Sequence, residues 1–531
     1  MVRRKNVLFI IADQWRGDCL GILGHPAVRT PNLDALARRG VTFTRHFGQS
    51  APCGPARASM LTGLYVMNHR VVANGVPLDA RHPNLALELR RAGHDPGLVG
   101  YTTTVPDPRT TTQDDIRFSE WGDVQAGWRV FAHFDEREWR NYFAWVRGKG
   151  VVLPDQPMAL MAPEGPPGPS AAPARIPAAA SDTAWTAEHA IRFLHASRKD
   201  RPWVLHCGFF RPHPPFAAPA PWHAAVDAAA LPPAIGAASL TAEAAQHPLM
   251  TRWLAGQQRA NYFQGASGPL QPLTEDEIAL TRRAYYGLIA EVDDAIGQIL
   301  AALEQTGQAE DTLVIFTADH GEQLGDHGLL SKLGWFDQSY HLPLIICDPA
   351  SDSVHGHRVD AFTEAVDLMP TILDWLGIPV PRACDGVPLT PWLRGETPAA
   401  WRDAVHFEYD LRGGWPDPHR PPFGLEVDQA AMCAMRTEDW KYVHFAALPP
   451  VLYDLRQDPH ETHNVAADPA YAMLLAEAAR RMLAWRMRHA DRTLTHLCAT
   501  PAGLADRRDP PQAAPLRGQL SDGQNAQHRG R

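Results

Sequence analysis

No apolar stretch in this 531-residue chain approaches the roughly 20 residues needed to span a bilayer. Near the start, Val7–Ala12 is apolar but stops at Asp13, without the length or small-residue cleavage site of a secretory segment, so it reads as a strand. Charges of one sign do not collect: 50 Lys and Arg are interspersed with 59 Asp and Glu, for a net charge of -9. That pattern excludes a basic stripe for nucleic acid and a polybasic membrane anchor. Cysteine is scarce, seven scattered residues and an odd number, so no disulfide framework is expected and the cytoplasm is the expected compartment. Internal repeats are absent, which sets aside repeat architectures.

What is present suits a large globular enzyme. Hydrophobic residues make up 45% of the chain and charged ones 21%, enough to bury a sizeable core. Val7–Ala12 and Thr312–Thr317 are continuous apolar runs, as in strands buried on both faces of a parallel sheet. Shorter strands are expected at Gly97–Gly100 and Pro202–His206. Between them lie helical patterns: one opens at Thr30-Pro31 and stops at Gly40. A long one begins at Thr274 with Glu275-Asp276-Glu277 and keeps Leu288, Val292, Ile296 and Ile299 on one face. This alternation predicts a doubly wound α/β fold with a mixed, mainly parallel sheet, whose ligands gather beyond the carboxyl ends of the strands.

Residues 1–400 are assigned to this catalytic domain, with a Pro/Ala-rich surface excursion at about 154–180. Residues 401–505 read as a smaller α+β subdomain. Cys433–Arg436, Trp440–Phe445 and Val451–Leu455 form an antiparallel sheet, followed by a helix from about Pro469 to His489. The polar tail, 506–531, is expected to be disordered.

Asp13 and Asp319 each follow a buried strand, and His320 adjoins Asp319 as Gln14 adjoins Asp13. Oxygen donors with one imidazole suit a divalent cation such as Mn²⁺, Ca²⁺ or Zn²⁺. An Asp after a strand often only caps a turn, so the pairs need a further element.

That element is Pro52-Cys53-Gly54-Pro55-Ala56-Arg57, followed in register by Thr62-Gly63. It resembles the sulfatase signature, Cys-x-Pro-x-Arg with a later Thr-Gly. The likeness extends from Asn6 to about Leu504 and is strongest to the phosphonate monoester hydrolase and arylsulfatase branch of the alkaline phosphatase superfamily. Ala12–Arg16, Gly63–Arg70, Gly100–Thr104, Arg211–Phe216 and Asp319–His327 carry it. Typical sulfatases have two adjacent acids where this chain has Asp13-Gln14, and Asn in place of His320. Gln14 and His320 resemble the phosphonate monoester hydrolases, and make a metal site less negative.

The resemblance implies an alkaline phosphatase-like fold and Cys53 oxidised to formylglycine by a separate maturation enzyme. It also implies a divalent metal, Mn before Ca or Zn, held by Asp13, Gln14, residue 53, Asp319 and His320. One hydroxyl of the formylglycine hydrate attacks the P or S centre of a small anionic ester. The other expels the transferred group by carbon–oxygen cleavage, so breakdown depends little on which group is attached. Arg57 orients the diol, while Lys332 and His213 bind non-bridging oxygens and protonate the leaving group. Asn74, Tyr101 and Thr103 match substrate-contacting positions. His46, His69 and His327 are read as structural, as are Tyr453, Asp454, Asp458 and Glu461. The branch also implies a dimer or tetramer. The expected activity is hydrolysis of phosphonate monoesters and phosphodiesters, with sulfate esters as side substrates. Alternatives are an arylsulfatase proper, a transferase or mutase (which Cys53 in place of Ser or Thr disfavours), and a non-catalytic metal-binding protein.

Overall fold

The computed structural model describes residues 5–507 except 113, 119–123, 136, 137, 198–200, 352, 353, 415–421 and 502. The main sheet comprises β1 (Asn6–Ala12), β2 (Val41–Phe43), β3 (Asp95–Gly100) and β4 (Arg129–His133). It is completed by β5 (Trp203–Phe209), β6 (Thr312–Ala318), β7 (Leu344–Cys347) and β8 (His357–Val359). In space they run β8-β2-β7-β6-β1-β5-β3-β4. Among them β7 alone is antiparallel to its neighbours, β2 and β6. The fold is therefore the mixed, mainly parallel α/β architecture that the alternation predicted.

β1 shows why its sequence is apolar throughout. Leu8, Ile10 and Ala12 enter one core while Val7, Phe9 and Ile11 enter the other, because successive side chains leave opposite faces. Helices covering these faces include α1 (Pro31–Arg38), α2 (Cys53–Thr62), α3 (Asp182–Ala196), α4 (Glu275–Gln305) and α5 (Leu368–Leu376). Leu33, Phe193 and Ile296 bring α1, α3 and α4 to the first core. Met60, Leu61, Leu368 and Ile372 bring α2 and α5 to the second. A capping box between Thr274 and Glu277 starts α4 where the sequence predicts it.

A second sheet is antiparallel: β9 (Ala404–Asp410), β10 (Ala431–Thr437), β11 (Trp440–Phe445) and β12 (Val451–Asp454), in that order. Its strand β9 was not among those read from the sequence. Met435 and Leu452 pack on Met482 and Trp485 of α6 (Ala472–His489). Val405, Phe407 and Val443 pack instead with Trp335 and Tyr340 of the α/β part.

Two expectations need correction. The Pro/Ala-rich run is no mere surface excursion, because Met161, Ala174 and Ile176 are buried in the first core. Its backbone also bonds to the loop after β5, through Ala174 N to Ala218 O. The tail does not begin at Asp506, which closes a two-stranded pair of Leu497–Thr500 with Gly503–Asp506 and meets Arg382. The remainder of the tail, from 508, lies outside the described residues.

Candidate active site

The sheet itself assembles the acids. Ala12 of β1 is in register with Ala318 of β6, so the next residues, Asp13 and Asp319, leave adjacent carboxyl ends together. Gln14 takes a left-handed backbone (φ 67°), and its N–H donates to Asp319 Oδ1 at 3.1 Å. Facing this corner is the N-terminus of α2, whose first residue is Cys53. Asn74 Oδ1 accepts the Gly54 N–H at 2.7 Å, supplying a cap that the preceding Pro52 lacks. A side chain at this position would press on the cap, since a Cβ would lie 2.8 Å from Asn74 Oδ1 and 3.4 Å from Thr103 O. At the other end Gly63, at φ 69°, stops the helix.

Four ligand atoms, one each from Asp13, Cys53, Asp319 and His320, lie within 4.8 Å of one another, all buried. His320 Nδ1 faces the Gly321 carbonyl at 3.2 Å and so carries the proton. Its Nε2 points at Cys53 Sγ (3.2 Å), Asp13 Oδ1 (3.6 Å) and Asp319 Oδ1 (3.8 Å). Burial, against the pull of Asp319, lowers this imidazole to about 4, leaving it neutral with a lone pair toward the acids. This donor set fits a divalent cation: a bare imidazole nitrogen and two carboxylates converge where protein protons alone leave them poorly matched.

Arg57 lies one turn into α2 and is fully buried. Its Nε donates to Asp319 Oδ2 (2.9 Å), one terminal nitrogen to Asp13 Oδ2 (3.3 Å), and the other to the Tyr101 carbonyl (3.2 Å). The guanidinium also stacks 4.2 Å from the Tyr101 ring centre, while Tyr101 OH donates to Asp13 Oδ2 at 2.7 Å. The two acids differ in consequence. Burial, then the charge of Asp319, pushes Asp13 up. Burial also opposes the charge on Asp319, but His320, Arg57, the Gln14 N–H and Lys332 hold it below the ordinary carboxylate range.

Lys332 Nζ donates to Gln14 Oε1 at 2.8 Å and stands 3.9 Å from Cys53 Sγ. Burial disfavours its charge, yet Cys53, Asp13, Asp319 and Glu322 outweigh that and raise it. Glu322 is a site residue to which the sequence reading gave no role. Its Oε2 accepts the Gln14 amide N–H, and its Oε1 accepts the N–H groups of Leu324 (3.0 Å) and Ser331 (2.6 Å). The Gln14 carbonyl is thereby turned toward Lys332.

His213 stands on the loop after β5, and Pro214 O at 2.8 Å accepts its Nδ1–H. Burial, then Lys332, pushes the imidazole well below its ordinary value. With Ser331 and Leu333 it lines a cavity of about 950 Å³, which Trp253, Tyr262 and Tyr409 also border. Thr103 is buried at φ 50° beside Gly54. The site residues named from sequence therefore converge on one corner, with His213 at its cavity side. The three histidines read from sequence as structural are tied elsewhere: His46 to Thr363, His69 to Ser59, and His327 to Glu243.

The sulfatase family profile matches residues 5–378, and that of the N-sulphoglucosamine sulphohydrolase C-terminal region matches 325–488. A multifunctional alkaline phosphatase superfamily protein, PehA of Trinickia caryophylli, is 48% identical over 95% of this chain and 99% of its own. The phosphonate monoester hydrolase of Agrobacterium radiobacter superposes with a TM-score of 0.92 at 43% identity, covering 95% of this chain and 100% of that one. The enzyme of the same description from Silicibacter pomeroyi gives 0.87 at 38% identity, covering 95% and 99%.

Proposed function

This chain belongs to the sulfatase family and is a hydrolase of the alkaline phosphatase superfamily, and from that premise we propose that it cleaves phosphonate monoesters and phosphodiesters, with sulfate esters as further substrates. The observation that carries the reading is the pairing of two acids, Asp13 and Asp319, with two neutral donors, the Gln14 carbonyl and the His320 Nε2. Each neutral donor in place of an acid lowers the negative charge that an incoming anionic ester meets.

Asp13, Gln14, residue 53, Asp319 and His320 would hold one divalent ion, which supplies Lewis-acid polarisation of the ester and of the nucleophile. Mn²⁺ is the ion we propose, with Ca²⁺ or Zn²⁺ as the other fits to carboxylate and amide oxygens with one imidazole. Formylglycine at residue 53, formed from Cys53 by a maturation enzyme, would supply as its hydrate the attacking hydroxyl and the route by which the transferred group is expelled. Arg57 fixes the acids relative to residue 53, and the α2 N-terminus adds positive potential. Lys332 is charged and within reach of residue 53, where it can bind non-bridging oxygens. His213 bears a proton on Nδ1 and lines the cavity; burial and then Lys332 keep it neutral at rest, and the negative charge of a bound substrate would favour the second proton that it passes to the leaving oxygen. Tyr101 acts through Asp13, Asn74 through the α2 cap, and Thr103 from beside Gly54.

The same reading places the enzyme in the cytoplasm as a homo-oligomer. None of the seven cysteines is in a disulfide, which suits a reducing compartment. Met473, Leu483 and Met487 are exposed on α6, as a subunit contact would use them.

The test compares kcat/KM for an aryl phosphonate monoester, an aryl phosphodiester and an aryl sulfate on one matured, metal-loaded preparation. Preference for the phosphorus esters is expected. A clear preference for sulfate would keep the machinery but remove Gln14 and His320 as determinants of specificity.

A further inference from the structure

The loop after β5, Arg211-Pro212-His213-Pro214-Pro215, carries three prolines, so it has few N–H groups with which to build its own hydrogen bonds. Its conformation must come from outside the backbone. Arg211 provides this: one terminal nitrogen donates to both His213 O and Pro215 O, each at 2.8 Å. Those two carbonyls flank the Pro214 carbonyl, which fixes the His213 ring by accepting its Nδ1–H. The guanidinium is in turn aimed by Asp182, whose carboxylate oxygens accept from Nε at 3.1 and 2.9 Å. Both side chains are only 3% exposed. Asp182 begins α3, where the helix dipole favours its charge. Aromatic faces of Phe210 and Trp139 lie 5.6 and 5.9 Å from the guanidinium carbon, and Met161 Sδ lies 3.5 Å from the other terminal nitrogen. Arg211 thus occupies a built socket spanning β5, α3 and the Pro/Ala-rich run.

The geometry points to Arg211, held by Asp182, as a positioning residue that sets the His213 imidazole for proton delivery to the leaving group. This rests on the reading of His213 as the general acid. Lysine cannot replace the arginine, because one ammonium cannot hold Asp182 and straddle two carbonyls in the same plane. A ring displaced by about 1 Å loses on the order of 100-fold in rate where its proton is needed, and little where it is not.

The experiment measures kcat/KM of the matured, metal-loaded enzyme on phenylphosphonate esters with 4-nitrophenyl, phenyl and benzyl leaving groups. The variants are Arg211→Lys, Asp182→Asn and His213→Ala. The 4-nitrophenolate leaves without much protonation, so Arg211→Lys should stay within about threefold of wild type there and fall about 100-fold on the benzyl ester. Asp182→Asn keeps the guanidinium but removes its anchor, and should show the same trend at smaller amplitude, which also serves if Arg211→Lys does not fold. An equal loss on all three esters, or none, from both Arg211→Lys and Asp182→Asn would overturn the positioning role while His213→Ala retains the trend. Equal losses from His213→Ala itself would overturn the acid assignment and the positioning role with it.

Discussion

Gln14 and Glu322 are joined through the Gln14 amide nitrogen, 308 residues apart in sequence and both without exposure to solvent. A carboxylate beside an amide accepts only from its NH₂, so the partner oxygen of Gln14 is forced toward Lys332 and the metal corner. Because Glu322 also ties down the Leu324 and Ser331 N–H groups, one side chain sets both the amide and the loop that carries Lys332. Glu322→Gln can donate as well as accept, so the Gln14 amide becomes free to turn over. Affinity for Mn²⁺ should fall about 10- to 100-fold, as when a partner of a metal ligand is lost. Titration of the metal-free variant with Mn²⁺ checks this. Wild-type affinity would mean that the amide orientation is fixed by something else.

Arg57 makes a second test, since it and a divalent ion neutralise the same acids. Arg57→Ala leaves Asp13 and Asp319 buried and repelling, at a cost of about 3–5 kcal/mol in metal-free protein. Bound metal should restore much of that. The fall in Tm on mutation is therefore expected to be larger in chelator than in Mn²⁺. Equal falls in the two conditions would show that the metal lies away from these carboxylates.

Cys53→Ala removes the atom to be oxidised while leaving the α2 cap in place, because that cap comes from Asn74. Turnover should drop by more than about 1,000-fold with little change in the circular dichroism spectrum. A mass spectrum of the wild-type protein, made with its maturation enzyme present, should show aldehyde in place of thiol at this position. Unmodified thiol in fully active protein would remove the nucleophile assignment.

Much of this was legible beforehand, for identifiable reasons. β1 and β6 are buried on both faces, so an unbroken apolar run followed by Asp announces strand and site together. The Cys53 stretch is local, its Cys, Pro, Arg, Thr and Gly spaced along one helix. The less legible parts depend on partners distant in sequence. Glu322 looked like any acid in a loop, since nothing near it in sequence shows that its partner is Gln14. β9 was missed although Val405, Phe407 and Tyr409 alternate with polar residues as in a strand; what the sequence does not show is that His406 and Glu408 are also buried, meeting Glu364 and Arg486 from elsewhere. The Pro/Ala-rich run lacks periodicity, and only the fold reveals that Met161 reaches the Arg211 socket.

Glu291, on α4, lies beside that socket, and its titration gives the last prediction. Burial, then the charge of Asp182, raises its carboxyl to about 8, so at neutral pH the folded protein holds it protonated and Asp182 remains the counter-ion of Arg211. An unfolded glutamate titrates near 4.3. Between these values the folded state binds one more proton than the unfolded state, so stability from this group is complete below about 4.3 and is lost as pH rises to about 8. Glu291→Gln keeps the shape and has no proton to lose. Its Tm relative to wild type should therefore climb between pH 5 and 8 and level off above, as read by thermal melts across that range. A difference that does not change with pH would mean that Glu291 is already ionised in the folded protein, with a second cation near Asp182 to hold it.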